Sequence, residues 1–273
     1  MDEDDQLAAR TTRMVPSSWV STAVGIGIVV VVAVMAVNTL APKSSASQAG
    51  WDDTALAVAQ VSEAQPPAAA TATATASRRS LQPTRGVDQA WLSRTAAATG
   101  IPARALLAYA AANLQLRAEQ PACALGWNTV AAIGLAESGH GTHGGSSIDA
   151  DGVARPAILG IRLDGSQGTA AIRDTDKGVL DGDPVWDRAV GPMQFIPSTW
   201  AMDGADGNGD GIKDPQNIDD AALAAARYLC AASSMNTPAA WRAAVQSYNN
   251  STPYIDMIAT AANRYAALAA GRQ

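Results

Sequence analysis

The chain has 273 residues, 48% of them hydrophobic but only 5% aromatic, and its formal net charge is -6. Alanine supplies much of that hydrophobicity, and small side chains with strong helix propensity favour closely packed helices over sheet. The acidic balance excludes nucleic-acid binding through a basic face, and it means that any grip on an anionic polymer is local rather than steered from a distance.

Residues 19–41 form an apolar run without a charged side chain, from Trp19 through Leu40. About 20 apolar residues suffice to cross a bilayer as a helix. A cleavable signal has a shorter apolar core of roughly 7–15 residues. The run is therefore expected to be an uncleaved transmembrane anchor, with cleavage near Ala41 as the alternative. Arg10 and Arg13 before the run, against Lys43 after it, weakly favour a cytoplasmic tail at 1–18 and an exported remainder. Residues 42–85 are rich in Ala, Thr, Pro, Ser and Gln, including a low-complexity Ala-Thr stretch after Pro66-Pro67. With little large apolar surface to offset the entropy of ordering, they read as a flexible spacer.

The folded domain is expected over 86–273, and helix signals dominate it. One helix follows Ile101-Pro102 through Tyr109 to about Leu116, and a second covers about Asn128 to Glu137. A third has Asp219 as its cap and runs to about Ala232. Thr237-Pro238 and Thr252-Pro253 open two more, each a cap followed by proline at the first helical position. The Gly- and Asp-rich stretch 139–218 shows no alternation long enough to make a sheet. Cys123 and Cys230 are the only cysteines. In an exported domain they read as one disulfide, contributing on the order of 4 kcal/mol through loop closure; two buried free thiols are the alternative.

Residues 133–141 read Ile-Gly-Leu-Ala-Glu-Ser-Gly-His-Gly. Glu137 closes an apolar helix. The negative end of the helix dipole and an apolar surround both disfavour its ionised form, and a glutamic acid kept protonated near neutral pH can donate to a glycosidic oxygen. On this segment alone, an ordinary surface glutamate beside a glycine cap is the better reading. His140 and His143, the only histidines, make Glu-x-x-His-x-x-His with Glu137. The glycines between them break the helix that a zinc peptidase motif requires, so the pair is expected to be solvated or substrate-contacting. A second motif, Gly191-Pro192-Met193-Gln194-Phe195-Ile196-Pro197-Ser198-Thr199-Trp200, combines a stiff turn, an amide that both donates and accepts, and two aromatic faces suited to a sugar ring.

These two segments, followed by Ser247-Tyr248-Asn249-Asn250 and Tyr254, resemble the three signature blocks of lytic transglycosylases over about Gly100 to Ala270. The likeness is to the membrane-bound B-type murein transglycosylases and their actinobacterial relatives. It implies a mainly α, lysozyme-like transglycosylase domain with a calcium-loop insertion, here preceded by a single transmembrane helix and a disordered linker. It further implies cleavage of the MurNAc-GlcNAc β-1,4 bond of peptidoglycan glycan strands, with formation of a 1,6-anhydro-MurNAc end. Glu137 would act first as acid, then as base. Gln194 and the backbone at Met193 and Phe195 would orient the N-acetyl group. Tyr248 would support Glu137 or the muramoyl ring, Ser138 would contact substrate, and Trp200, Asn249 and Tyr254 complete the expected contacts.

Two alternatives stay open. A two-carboxylate muramidase would use Asp174, Asp176, Asp181, Asp183 or Asp187 as partner of Glu137, although Asp-Gly pairs more simply make turns. A non-catalytic glycan-binding module would have no need of the acid. Finally, Asp206, Asn208 and Asp210, with Gly211 and the Ile212 carbonyl, match the first half of a calcium loop. Asn217 stands where the usual closing glutamate belongs. The resemblance to the B-type family implies a longer loop closed by Asp220, with Asp214 and Asp219 as further candidates, and a structural Ca2+ that takes no part in catalysis.

Overall fold

The computed structural model describes residues 63–68, 86–231 and 234–271. The apolar run 19–41, the preceding tail and most of the expected spacer lie outside the described residues. Among the described residues, no helix is long and apolar enough to cross a membrane.

Seven α-helices carry the domain in chain order: α1 Gln89–Thr99, α2 Ala103–Glu119, α3 Trp127–Ser138, α4 Pro197–Asp203, α5 Ile218–Ala231, α6 Pro238–Tyr248 and α7 Thr252–Ala269. Five correspond to the helices expected from caps and apolar stripes. The other two had weaker signals. α1 is capped by the Asp88 carboxylate, which accepts from the Trp91 N–H at 2.7 Å, and it stops at Gly100 in the left-handed region. α4 begins at Pro197 inside the second motif. Two of the expected caps move, that of α5 by two residues and that of α7 by one. α5 begins at Ile218, with the Asn217 side chain accepting from the Asp219 N–H at 2.9 Å, so Asp219 is inside the helix and not its cap. α7 is capped at Ser251, which puts Pro253 at its second position. Thr237 does cap α6, accepting from the Ala240 N–H.

Alanine has the effect its abundance implied. Ala105, Ala108 and Ala112 of α2 and Ala221, Ala222 and Ala225 of α5 are all buried, and α2 packs most extensively on α5, as α3 does on α7. Small side chains suit close approach of these helices, and larger buried side chains such as Leu106, Leu116, Leu223 and Leu229 fill the core beside them. An ion pair fixes the α2–α5 register at one end: Arg104 donates to the buried Asp219 carboxylate.

The connection between α3 and α4 holds the only strands among the described residues: β1 Ser147–Ile148 pairs antiparallel with β2 Ala154–Arg155, and β3 Leu159–Arg162 with β4 Arg188–Val190. They are too short for a period of two to register in sequence.

Residues 63–68, inside the stretch expected to be spacer, lie against the domain. The Trp127 N–H donates to the Ala64 carbonyl at 3.1 Å, and the Asp88 N–H to the Pro67 carbonyl at 3.1 Å. The Ala64 N–H donates to Asn128 Oδ1 at 2.7 Å. The Glu63 carboxylate takes the Gly126 N–H and the Thr129 hydroxyl. These are donors at the N-terminus of α3, where a helix has unsatisfied N–H groups and favours a carboxylate. Burial nevertheless pushes Glu63 up to about 7, with the bonds to Thr129, Gly126 and Trp241 pulling the other way.

Cys123, just after α2, and Cys230, near the end of α5, form the expected disulfide, with their Cα atoms 5.7 Å apart. It closes a loop spanning 107 positions. A Cys123→Ser/Cys230→Ser double variant is expected to lose about 4–5 kcal/mol of stability in the chain-entropy account, measured by urea unfolding. A loss below about 1 kcal/mol would mean that helix packing alone restrains the loop.

Candidate active site

α3 ends at Ser138 because Gly139 turns into the left-handed region with φ 58° and returns its N–H to the Gly134 and Leu135 carbonyls. Glu137 therefore occupies the last helical turn. Glu137 keeps some surface exposure while its carboxyl is largely desolvated, and the Tyr254 hydroxyl donates to its Oε1 at 2.7 Å. Burial pushes this acid up to about 7, and the Tyr254 hydrogen bond works in the opposite direction by favouring the ionised form. Such a group is protonated over much of the neutral range and can be returned to that state, which is what a single acid/base needs.

The second motif forms a tight loop on the same side. The Val190 and Phe195 backbones exchange hydrogen bonds of 2.8 and 3.0 Å around it. Gly191 has φ 76° and lies so close to the Pro215 carbonyl that a Cβ there would sit 1.7 Å from the oxygen, so no other residue fits. Three hydrogen bonds then join the three motifs in a closed ring. Ser138 Oγ donates to the Pro192 carbonyl at 2.6 Å, the Tyr248 hydroxyl donates to the Met193 carbonyl at 2.7 Å, and Tyr254 donates to Glu137. Segments separated by more than a hundred positions meet at one carboxyl.

This geometry changes several expected roles. Ser138 is buried, and its oxygen also accepts from the Gly141 N–H at 2.8 Å, so it ties the helix end to the loop instead of facing substrate. Phe195 and Trp200 are buried and pack edge to face with ring centres 5.3 Å apart. Phe195 also meets Tyr248, at 6.0 Å. These aromatic faces are packed into the core and are not open to stack on a sugar. Met193, Asn249 and Tyr254 are buried as well. Of the expected contacts in the second motif, Gln194 alone is partly exposed. Its backbone has φ 50°, and its Nε2 donates to the Gly191 carbonyl at 2.9 Å. Tyr248 reaches Glu137 through proximity rather than a bond, its hydroxyl being committed to Met193.

The histidines separate. His143 is exposed in a short 3-10 turn. His140 is buried, so it is neither solvated nor in reach of a substrate. Its Nδ1 lies 3.2 Å from the Tyr109 hydroxyl and its Nε2 3.0 Å from the Tyr265 hydroxyl. Nothing in the local sequence marked these two tyrosines, and both went unrecognised there, as did the Glu63 segment.

The aspartates of the α3–α4 connection are engaged in the connection itself. Asp174 accepts from the Asp176, Lys177 and Gly178 N–H groups, and Asp176 from those of Val179 and Leu180. Asp181 takes the Asp183 and Arg188 N–H groups. Asp183 takes those of Val185 and Trp186 together with the Arg162 side chain. Asp187 is fully buried and holds Thr175 through both oxygens. No aspartate figures among the influences on Glu137, which are burial and Tyr254. Oxygens of Asp174, Asp176 and Asp187 come within 4.8 Å of one another, an acidic trio in a different place from the expected calcium loop.

In the 206–220 loop, the Asp220 carboxylate is fully buried and accepts from the Gly207, Asn208 and Asp214 N–H groups. Asp206 accepts from Gly209, Asp210 and Gly211. Burial pushes Asp220 up to about 6, and the neighbouring Asp206 charge adds to the rise. The Ile212 side chain is exposed.

Residues 167–265 match the family model of the transglycosylase SLT domain. The matched stretch includes the 191–200 loop, Tyr248 and Tyr254, and begins after Glu137. No curated protein and no solved structure matches the chain. The matched stretch is therefore similar to the SLT domain of transglycosylases.

Because the Tyr254 phenol stabilises the ionised carboxylate, removing it raises the pKa of Glu137. A hydrogen bond to a charged group is worth about 1.5–3 kcal/mol, so Tyr254→Phe is expected to move the Glu137 titration upward by about one unit or somewhat more. Carboxyl 13C NMR reads this directly, and the alkaline limb of the activity profile should move to higher pH with it. An unmoved titration would remove Tyr254 from the site.

Proposed function

We propose that this protein cleaves the MurNAc-GlcNAc β-1,4 bond of peptidoglycan and leaves 1,6-anhydro-MurNAc ends, with Glu137 as its only acid/base. The observation that carries the proposal is a single carboxyl, held up to about 7 by burial, hydrogen-bonded by Tyr254 and without a second carboxylate acting on it. Glu137 gives its proton to the glycosidic oxygen as the bond from C1 of MurNAc breaks. The C6 hydroxyl of the same sugar then attacks C1 and returns its proton to Glu137. The nucleophile belongs to the substrate, so one carboxyl serves both steps. A hydrolase with a second carboxylate as nucleophile or base finds no support among Asp174 to Asp187, whose oxygens are taken up by backbone N–H groups and arginines. Partly exposed Gln194, in the loop that Ser138 and Tyr248 tie down, is the group suited to orient an N-acetyl substituent.

The site is further read as facing the cell wall from the outer side of a membrane, anchored by residues 19–41 and related in kind to the membrane-bound B-type enzymes. The uninterrupted apolar run supports the anchor, and the Cys123–Cys230 disulfide fits an oxidising compartment.

The 206–220 loop is read as a structural Ca2+ site formed by Asp206, Asn208, Asp210, the Ile212 carbonyl and Asp220. These are hard oxygen donors of the kind calcium takes, and none of the three aspartates has a salt bridge among the described residues. Bound there, Ca2+ would neutralise the repulsion between Asp206 and Asp220 and hold the loop to the start of α5.

Two outcomes are expected. Glu137→Gln keeps its binding to purified glycan strands but loses lysis, and mass spectrometry of wild-type digests shows anhydro ends; digests containing only hydrated reducing ends would turn the assignment to a muramidase. Adding calcium to chelated protein raises its Tm by several degrees, in keeping with ligand linkage; an unchanged Tm leaves the loop as turn chemistry without an ion.

A further inference from the structure

The turn that follows Glu137 is strained and deliberately tied. His140 has φ 62°, a conformation that costs a residue with a Cβ free energy unless its surroundings hold it there. Its backbone N–H closes on the Gly134 carbonyl at 2.9 Å, which folds the turn back along α3. Its imidazole then sits between two hydroxyls from two other helices, Tyr109 of α2 and Tyr265 of α7, at 3.2 and 3.0 Å. Both ring nitrogens are used. A neutral imidazole has one donor and one acceptor, so one phenol accepts from it and the other donates to it. Burial pushes the His140 imidazole down to about 4, so it is neutral across the range in which Glu137 titrates. Tyr109 and Tyr265 are the titratable groups that face it, with Arg264 beside Tyr265.

The placement on α7 links this clamp to the acid. Tyr254, which holds Glu137, and Tyr265, which holds His140, are eleven positions apart, about three full turns, so they lie on the same stripe of α7 roughly 16 Å apart. Asn128 Nδ2 also donates to the Ala262 carbonyl, at 3.2 Å, so contacts to α7 come from both ends of α3. Two anchor points on one face fix both the axial register and the rotation of a helix. Tyr109 adds a third helix, and there is no slack behind it: a Cβ on Gly134 would stand 2.1 Å from the Tyr109 hydroxyl.

We propose that His140 is a positioning residue for the Glu137 acid, the Tyr109–His140–Tyr265 clamp setting the α3 turn against α7 so that Tyr254 meets the carboxyl. This rests on reading Glu137 as the acid. It assigns a role to two phenols and an imidazole that touch no substrate, and it explains a histidine at a left-handed position where glycine would cost less backbone strain.

The test uses the full-length protein with Tyr265→Phe, which removes one hydroxyl and keeps the ring, and His140→Asn, which tolerates φ > 0 but cannot reach both tyrosines. Glycan turnover, Tm and the Glu137 carboxyl titration by 13C NMR are measured on each. Both variants are expected to lower kcat roughly tenfold, the scale of a small misplacement of a catalytic group, with KM within about twofold. The Glu137 titration should move upward, towards its position in Tyr254→Phe. Combining Tyr254→Phe with Tyr265→Phe should add little to Tyr254→Phe alone. Variants that lose Tm yet keep the wild-type titration and kcat would overturn the proposal, leaving His140 as core packing. If the wild-type protein cleaves no glycan, the titration alone decides: a moved Glu137 keeps the clamp while the proposed reaction fails, and an unmoved one sinks the clamp.

Discussion

On the proposed reaction, the site depends on a carboxyl that must be taken out of water to keep its proton and must still be able to lose it. Burial supplies the first requirement, and by itself it would make ionisation too costly for a base. Tyr254 supplies the second, offering a charge-strengthened hydrogen bond to the carboxylate. The two effects oppose one another in the same few cubic ångströms, so the outcome is set by position. Loss of the phenol's hydrogen bond would leave burial unopposed. That requirement accounts for the closed ring of Ser138 to Pro192, Tyr248 to Met193 and Tyr254 to Glu137. Each bond spans different elements, so none of the three motifs can drift without straining the other two.

Seen this way, the motif residues divide by what they touch. Glu137 and Gln194 remain partly exposed, while Ser138, Met193, Phe195, Trp200, Tyr248 and Tyr254 are buried behind them. The identities in the motifs were legible from the chain because the pattern of residue types is distinctive. Their roles were not, because burial is a property of the assembled fold. An aromatic pair such as Phe195 and Trp200 reads equally well as a sugar platform or as packing, and only the edge-to-face contact decides it. Ser138 reads as a hydroxyl beside an acid; that its partner is the Pro192 carbonyl, 54 positions away, is a long-range fact. The cap chemistry of α6 was fully local and was read correctly at Thr237. For α5 a neighbouring Asn and Asp compete for the same cap, and sequence cannot rank them when both side chains suit it.

The aspartate-rich connection shows the same distinction from the other side. Acidic residues spaced two or three apart invite a catalytic or metal reading. Here most of their oxygens satisfy N–H groups two to four positions ahead, which is how a chain with little regular structure avoids leaving buried donors without partners. Asp183 goes further and gathers Arg162 and Arg188 from β3 and β4, pinning the hairpin beside the 191–195 loop. The connection therefore supports the loop through backbone satisfaction, and none of its aspartates figures among the influences on Glu137, which are burial and Tyr254.

Residues 63–68 extend the dependence outside the matched family stretch. α3 carries Glu137 at its C-terminus, and its N-terminus is completed by Glu63 and Ala64, from a stretch whose composition gives no sign of order. The pairing could not be read from Gly126, a poor side-chain cap, because the cap comes from more than 60 positions upstream. Glu63 shares the dilemma of Glu137, a carboxyl whose burial pushes it up to about 7. Since the folded group holds its proton to higher pH than the unfolded one, its docking is most favourable in mild acid and weakens as pH rises from about 4.5 to about 7. Both ends of α3 are thus set by buried carboxyls, with Tyr254 stabilising the charge at one end and the Gly126 N–H and Thr129 hydroxyl at the other.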